Sequence, residues 1–443
     1  MVFSITDKIF NKISSSKFIA LIFIIILIRL IYFFIIPVGE LPDEIYIFER
    51  IYYSAVFRMN SELVKNHTIF FPNSEYFYPP LYYLFNSLIL QLFFSLNKTV
   101  LTFQESFFLY ANIFRFVNFL LSAFSIYLVW KILNIIKMEK QIIISSLLLF
   151  GLLPTAAIFS NALNFHLYVF FGFLLFLYLL FVKKWLNHEV KRSIYLGLIV
   201  GVLLLIGFEG FMLIPLYPVY LMLTRQRKMI TSIVYFIGII LLISGWWYVA
   251  NFIKFGNFYN SEIFKVTVRN FPKPFSFPNY IDAVLKHTSE TFIFTVGRSN
   301  DLRFVLFGYS IWKVLFWVSV AGWIKLILAK KNKFIRRLIS NHIIILFILF
   351  IENMIVFIYA DFKLNFSASQ GRLFFPSLLL ISIIFIVGIR SWLNKNQLKY
   401  LPYITLIFLL IYNYWGIGCT LFDYKDINIL PKVLGCFNYL KLR

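Results

Sequence analysis

The chain reads as an all-α, polytopic membrane protein with about 11 transmembrane helices, and three observations lead there. Of its 443 residues 61% are hydrophobic and 14% charged, with a mean hydropathy of +0.82. Soluble domains run about half apolar and a quarter charged. Apolar runs near the roughly 20 residues needed to cross a bilayer recur along the chain. Basic residues gather in alternate connections between those runs, the pattern that marks an inner membrane face.

The first run covers about 18–36 and follows Lys8, Lys12 and Lys17. It is too long for a secretory signal peptide and lacks a small-residue cleavage site, so it reads as an uncleaved anchor with its N-terminus inside. Further runs fall near 108–130, 141–159, 165–182, 193–208, 211–223, 229–250, 304–328, 338–359, 373–392 and 401–418. With this parity the inner segments hold 22 of the 42 Lys and Arg, against three acids, Asp7, Glu139 and Glu189. The net charge of +23 therefore marks topology, and nucleic acid drops out as a partner.

Two stretches bear on the parity. Leu81 to Leu96 is apolar but short, and reads as an interfacial or re-entrant helix on the outer side. The stretch 193–223 is bounded by Lys191-Arg192 and Arg225-Arg227-Lys228, so a hairpin turning near Glu209-Gly210 keeps both basic ends inside. The chain then divides into a transmembrane domain, 1–418, and a short outer tail, 419–443. Within that domain lie a long first outer loop, 38–107, carrying interfacial helices, and a second, 251–303. The first loop is acidic, with seven Asp/Glu to four Lys/Arg, and the second basic, with seven Lys/Arg to four acids. Either a site forms between them or both are plain solvated loops. Two cysteines exclude a disulfide scaffold and a multi-cysteine metal cluster; Cys419 and Cys436 fall on one side and could form one disulfide.

Four segments carry candidate chemistry. Gly39-Glu40-Leu41-Pro42-Asp43-Glu44 follows the first run directly. Pro42 suits a first helical turn, and Glu40, Asp43 and Glu44 at i, i+3 and i+4 would share one helix side. That is either a well-capped helix start or a carboxylate pair able to accept a proton or hold a cation at the membrane surface. Tyr78-Pro79-Pro80-Leu81-Tyr82-Tyr83 and Gly245-Trp246-Trp247-Tyr248 suit an interfacial aromatic belt. Gln370-Gly371-Arg372-Leu373-Phe374-Phe375-Pro376 puts an arginine at the mouth of a span, where it either snorkels or forks onto a phosphate. No spacing of His, Asp and Glu reads as a metal site, and His67, His166 and His287 are scattered over the outer side. His287, with Glu290 on a loop helix, either touches acceptor or, the stronger reading, is an ordinary surface residue.

Taken in order, these segments resemble the GT-C superfamily of membrane glycosyltransferases, among them the protein O-mannosyltransferases and the lipid A aminoarabinose transferases. The Gly-Trp-Trp-Tyr and Gln-Gly-Arg segments are more similar to a related uncharacterised bacterial membrane family. The resemblance covers roughly 18 to 392 in motif order and span spacing. It implies inverting transfer of a hexosyl or pentosyl group from a polyprenyl-phosphate-linked donor to a glycan, lipid or protein acceptor, at the outer face of a bacterial plasma membrane. Asp43 then matches the catalytic acid and Glu44 its neighbour. Arg372, with Arg298 and Arg50, would bind the donor phosphate, and Tyr82, Tyr83, Gln370 and His287 would contact substrate or lipid. No cofactor is required; a divalent cation at Asp43 and Glu44 is the lesser reading. The chain departs from the pattern at Ile47, where a histidine is usual. It departs again at Phe165, where an aspartate is common, and at Glu209, near a usual lysine.

The chemistry of the residues agrees. A polyprenyl phosphate departs as a stabilised anion, so one carboxylate base on the acceptor suffices, in contrast to the two carboxyls of glycoside hydrolysis. Cationic groups then stabilise charge growing on the phosphate. The rival readings are a transporter or flippase of lipid-linked glycans, a polysaccharide polymerase or ligase, and a scaffolding relative without activity. A transporter calls for charges deep in the spans, and few occur: Arg29, Glu209, Lys313 and Glu352.

Overall fold

The structure is a computed structural model and describes residues 15–41, 43–57, 79–97, 101–182, 188–226, 228–256, 258, 291–293, 302–304, 306–328, 340–363, 371–425 and 436–438. Every predicted run contains a helix. The first loop adds two more between α1 (Ser15–Ile35) and α4 (Phe103–Ile136), namely α2 (Glu44–Val56) and α3 (Leu81–Asn97). Then come α5 (Lys140–Leu152), α6 (Pro154–Phe159), α7 (His166–Phe181), α8 (Glu189–Leu204) and α9 (Leu216–Leu223). The last set is α10 (Met229–Ile240), α11 (Trp246–Phe255), α12 (Leu306–Leu328), α13 (Asn341–Lys363), α14 (Leu378–Arg390), α15 (Lys395–Leu398) and α16 (Leu401–Lys425). The protein is an all-α, multi-pass membrane protein, with one small addition: β1 (Leu302–Phe304) pairs antiparallel with β2 (Cys436–Asn438), placing Arg303 opposite Phe437. Cys419 is disulfide-bonded, and the sequence has one other cysteine, Cys436.

By length and composition, five helical stretches among the described residues are able to cross a bilayer: Phe103–Ile136, Met229–Lys254, Ser310–Leu328, Asn341–Ile358 and Leu401–Leu421. Several other runs are shorter because the chain interrupts them. The run 141–159 breaks between α5 and α6 at Pro154, which has no N–H with which to continue the ladder. The run 193–223 is a hairpin: α8 and α9 are joined through a 3₁₀ turn, Phe208–Leu213, and Ser193 Oγ lies 2.8 Å from the Tyr217 hydroxyl. A π-turn, Leu241–Gly245, joins α10 to α11 just ahead of the paired tryptophans. At the start of α4, Thr102 and Glu105 form a reciprocal capping box, with Glu105 Oε2 accepting from Thr102 N at 2.9 Å.

The contacts sort into two ends. At one, Arg390 donates to Glu139 at 2.8 and 3.2 Å, Arg192 to the Val182 carbonyl at 2.9 Å, and Asn341 to the Leu223 carbonyl at 3.2 Å. These residues flank or belong to segments assigned to the inner face by their basic charge. At the other end lie the starts of α2, α3 and α7, the end of α8, and the 3₁₀ turn Gly371–Ser377. Along α3 the polar and aromatic side chains Tyr82, Tyr83, Asn86 and Ser87 are buried, while Phe85, Leu88, Leu92 and Leu96 are exposed. An apolar outer stripe over a polar inner one suits a helix lying against lipid.

Helix contact inside the bundle is close where side chains are small. A Cβ at Gly322 on α12 would press on the Gly388 carbonyl oxygen of α14, and one at Gly388 would press on the Ser319 backbone and hydroxyl. Without a hydrophobic force between helices in lipid, such close backbone approach supplies the attraction. Gly322→Leu is therefore expected to force α12 from α14 and cost about 1–3 kcal/mol. A thermal melt in detergent checks this, and an unchanged midpoint would count against the contact.

Candidate active site

The chain leaves α1 through a turn that ends on Asp43. The structure starts α2 at Glu44, later than the sequence suggested, so Glu40 and Asp43 lie ahead of the helix and do not share a helical face with Glu44. Pro42 is outside the described residues. Asp43 sits at the helix N-cap with φ 68° and ψ −5°, in the left-handed region, and its side chain does not cap the helix. Its carbonyl accepts the first helical bond, from Ile47 N at 2.9 Å. A non-glycine residue is strained there, and Asp and Asn bear the strain best.

What holds the turn is Glu44, which is fully buried. Its Oε2 accepts from Gly39 N at 2.9 Å and Leu41 N at 3.4 Å, which closes the turn on itself. Its Oε1 accepts from Leu163 N at 2.8 Å, fastening the turn to the α6–α7 connection, and lies 3.5 Å from Arg115 Nε on α4. Arg115, also buried, donates onward to the Asn161 carbonyl at 2.9 Å and the Ile36 carbonyl at 3.1 Å. Burial pushes the Glu44 carboxyl above the ordinary glutamate range; the guanidinium and the three N–H donors oppose that push. Both Glu44 oxygens are thus committed to the fold. Asp43 and Glu40, both half-buried, are the other acids of the turn.

One helical turn below Arg115, Asn118 donates to the Ala162 carbonyl, and to the Asn164 carbonyl at 3.2 Å. Asn161 donates to the Arg29 carbonyl at 2.9 Å. The 160–165 connection is therefore held from α1, α2 and α4 together. Asn164 Oδ1 then caps the His166 N–H at 2.8 Å, and α7 begins.

Arg50, on α2 two turns beyond Asp43, is buried with its guanidinium 4.0 Å from the centroid of the Tyr83 ring. The Asp43 charge reaches Tyr83 as well. Burial, with some help from the Asp43 charge and against the pull of Arg50, raises the Tyr83 phenol to about 12. Arg50 and Asp43 thus both act on the Tyr83 phenol. Tyr82 packs beside them, its ring 5.1 Å from Tyr168 and 6.1 Å from Phe165.

The remaining motifs converge on the same end. Tyr248 donates to the Leu204 carbonyl at 2.8 Å and, with Trp247, packs on Phe208 in the turn that carries Glu209. Leu81 N donates to the Leu205 carbonyl at 2.8 Å, tying the Pro-Pro segment to the end of α8. Phe375 packs on Phe159 and Phe170, which seats the turn Gly371–Ser377 beside α6 and α7. Arg372 is described in its backbone only, within the turn Gly371–Ser377. Arg298, Gln370 and His287 lie outside the described residues, so those expectations go untested.

The sequence reading placed Arg115 at the outer end of a span, paired internally or lining a cavity, but did not single out Asn118, the pairing of Arg115 with Glu44 or the pairing of His166 with Glu209. His166 Nδ1 lies 2.6 Å from Glu209 Oε1, with side-chain exposures of 31% and 23%. Desolvation alone would raise the Glu209 carboxyl, but the adjacent His166 and the residue's own N–H bring it below the ordinary range. A signal for the others was present: Arg115, Asn118, Ser122 and Ser125 recur every three or four residues along an otherwise apolar helix. Such a stripe faces protein, not lipid. Among the described residues no group of three or more His, Cys, Asp or Glu converges as a metal site.

No protein-family model and no curated protein sequence matches the chain. Among solved structures it is similar to the Archaeoglobus fulgidus oligosaccharyltransferase solved with zinc and sulfate, at 13% identity and a TM-score of 0.49. That match covers 90% of this chain and 53% of the other, so the chain spans about half the length of that protein. It is similar also to ArnT from Cupriavidus metallidurans, bound to undecaprenyl phosphate, at 13% identity and a TM-score of 0.49. That match covers 91% of this chain and 71% of ArnT.

Proposed function

We propose that the protein is an integral-membrane glycosyltransferase of the GT-C type. It moves a sugar from a polyprenyl-phosphate donor to an acceptor at the outer membrane face, with inversion and with Asp43 as the base. The observation that carries this is the strained Asp43 turn, held from beneath by Glu44 and Arg115 at the end where the sequence motifs meet. A carboxylate held in a strained turn at the outer end of a membrane protein suits deprotonation of an acceptor hydroxyl. The phosphate needs positive charge and no acid. Arg50 is near enough to Asp43 to share the site, through Tyr83. In this reading Glu44 is a positioning residue and not a second base.

The test is turnover by the purified full chain offered a panel of polyprenyl-phosphate sugars, with inversion read from the anomeric configuration of the product. Donor-dependent release of polyprenyl phosphate is the expected result. A folded protein that turns over no donor in the panel, with acceptors of all three classes supplied, overturns the reading.

A further inference from the structure

The pair His166–Glu209 lies at this end and takes no part in the clamp beneath Asp43. Glu209 takes up the Nδ1 side of the ring, which directs Nε2 to a different partner. Both side chains keep partial access to the outside. Their surroundings are aromatic: the Phe165 and His166 rings are 4.2 Å apart, and Phe208, Trp247 and Tyr248 line the Glu209 turn. Tyr82, whose ring centroid is 6.1 Å from that of Phe165, is buried, with a hydroxyl that has no hydrogen-bond partner among the described residues. A buried donor left unmade is unfavourable, and a ligand oxygen would relieve it.

We propose that His166, Glu209 and the Tyr82 hydroxyl, set around the Phe165 ring, form a subsite that binds the hydroxyl groups of a sugar. A sugar ring is apolar on its faces and polar around its rim, and so matches an aromatic platform flanked by a carboxylate, an imidazole and a phenol. A phosphate fits poorly, because the ionised Glu209 would repel it. The subsite deepens the glycosyl-transfer reading and rests on it for the identity of the lipid donor, though not for sugar binding itself.

The experiment uses the full-length protein in detergent, its fold checked by thermal melt, with three variants: Tyr82→Phe, His166→Gln and Glu209→Gln. Each is titrated with a methyl glycoside panel by saturation-transfer NMR, with the polyprenyl-phosphate sugars, and with sugar-free polyprenyl phosphate. Sugar-bearing ligands are expected to weaken about 5-fold in Tyr82→Phe and about 10-fold in the other two, while sugar-free lipid binds as before. Unchanged sugar binding in all three variants overturns the subsite. So does an equal loss for the sugar-free lipid, which would mark a structural role, and so does a wild-type protein that binds no sugar, free or lipid-linked. A protein that binds methyl glycosides through these residues yet turns over no lipid-linked donor leaves the subsite standing and sinks the transfer reading. Turnover that all three variants retain, with sugar affinity intact, does the reverse.

Discussion

Glu44→Ala is expected to leave little folded protein. The substitution removes the acceptor from three backbone N–H groups, those of Gly39, Leu41 and Leu163, and strands the Arg115 guanidinium in a site from which water is excluded. Removing one partner of a buried ion pair costs about 3–5 kcal/mol, and each orphaned donor adds about 1–3 kcal/mol before relaxation. A whole domain has only about 5–15 kcal/mol in hand. The measurement is the yield and melting midpoint of detergent-purified protein; a normal yield and midpoint would defeat the argument.

Glu44→Gln separates charge from shape. The amide oxygen can still accept from one side of the clamp, but its NH₂ meets donors on the other, and Arg115 loses its counter-charge. A midpoint drop is expected, smaller than for alanine. Combining it with Arg115→Met should cost less than the sum of the two single changes, because the second removes the charge that the first leaves bare. Strict additivity would mean that the two side chains do not depend on each other. Were Glu44 itself the base, Glu44→Gln would instead melt normally and fail only in turnover.

The architecture was legible because bilayers impose simple rules. Apolar length and the sidedness of Lys and Arg located the helices, and the structure places Arg390 on Glu139, joining two segments assigned to the same face. The site was legible in part. Asp43, Arg50 and Tyr83 were each singled out as site residues, and in the structure the Arg50 guanidinium stacks on the Tyr83 ring while the Asp43 charge acts on the Tyr83 phenol. The roles within the acid cluster were not legible. Local helix rules put Glu40, Asp43 and Glu44 on one helical face. A tertiary demand, the burial of Glu44 against Arg115 and Leu163, delays the helix and separates the three. Pattern along the chain does not announce which distant arginine will neutralise a given glutamate. Nor did it show that Glu209 and His166, which lie in separate helical segments, meet at 2.6 Å.

At Asp43 stability and function are expected to part company. A positive φ of 68° ranks the substitutions by backbone tolerance: glycine best, asparagine and aspartate next, alanine worse, and a β-branched valine worst. Asp43→Asn should therefore keep the melting midpoint within the spread of surface changes, about 0.5 kcal/mol. Asp43→Gly should match or slightly exceed it, since relief of left-handed strain, about 1 kcal/mol, is offset by the extra freedom of glycine in the unfolded chain. Asp43→Val should lose about 1–3 kcal/mol. Turnover should ignore this ranking and follow the carboxylate alone. Loss of a positioned base costs about 10²–10⁴-fold in rate, so the asparagine, glycine and valine variants should all fall together, however differently they melt. Asp43→Glu keeps the charge but moves it by a methylene, and should retain a measurable fraction of the wild-type rate. The decisive case is asparagine, which fits the same backbone and nearly the same volume. A well-folded Asp43→Asn protein with near-normal transfer would leave the strain at this turn without a function and remove Asp43 from the chemistry.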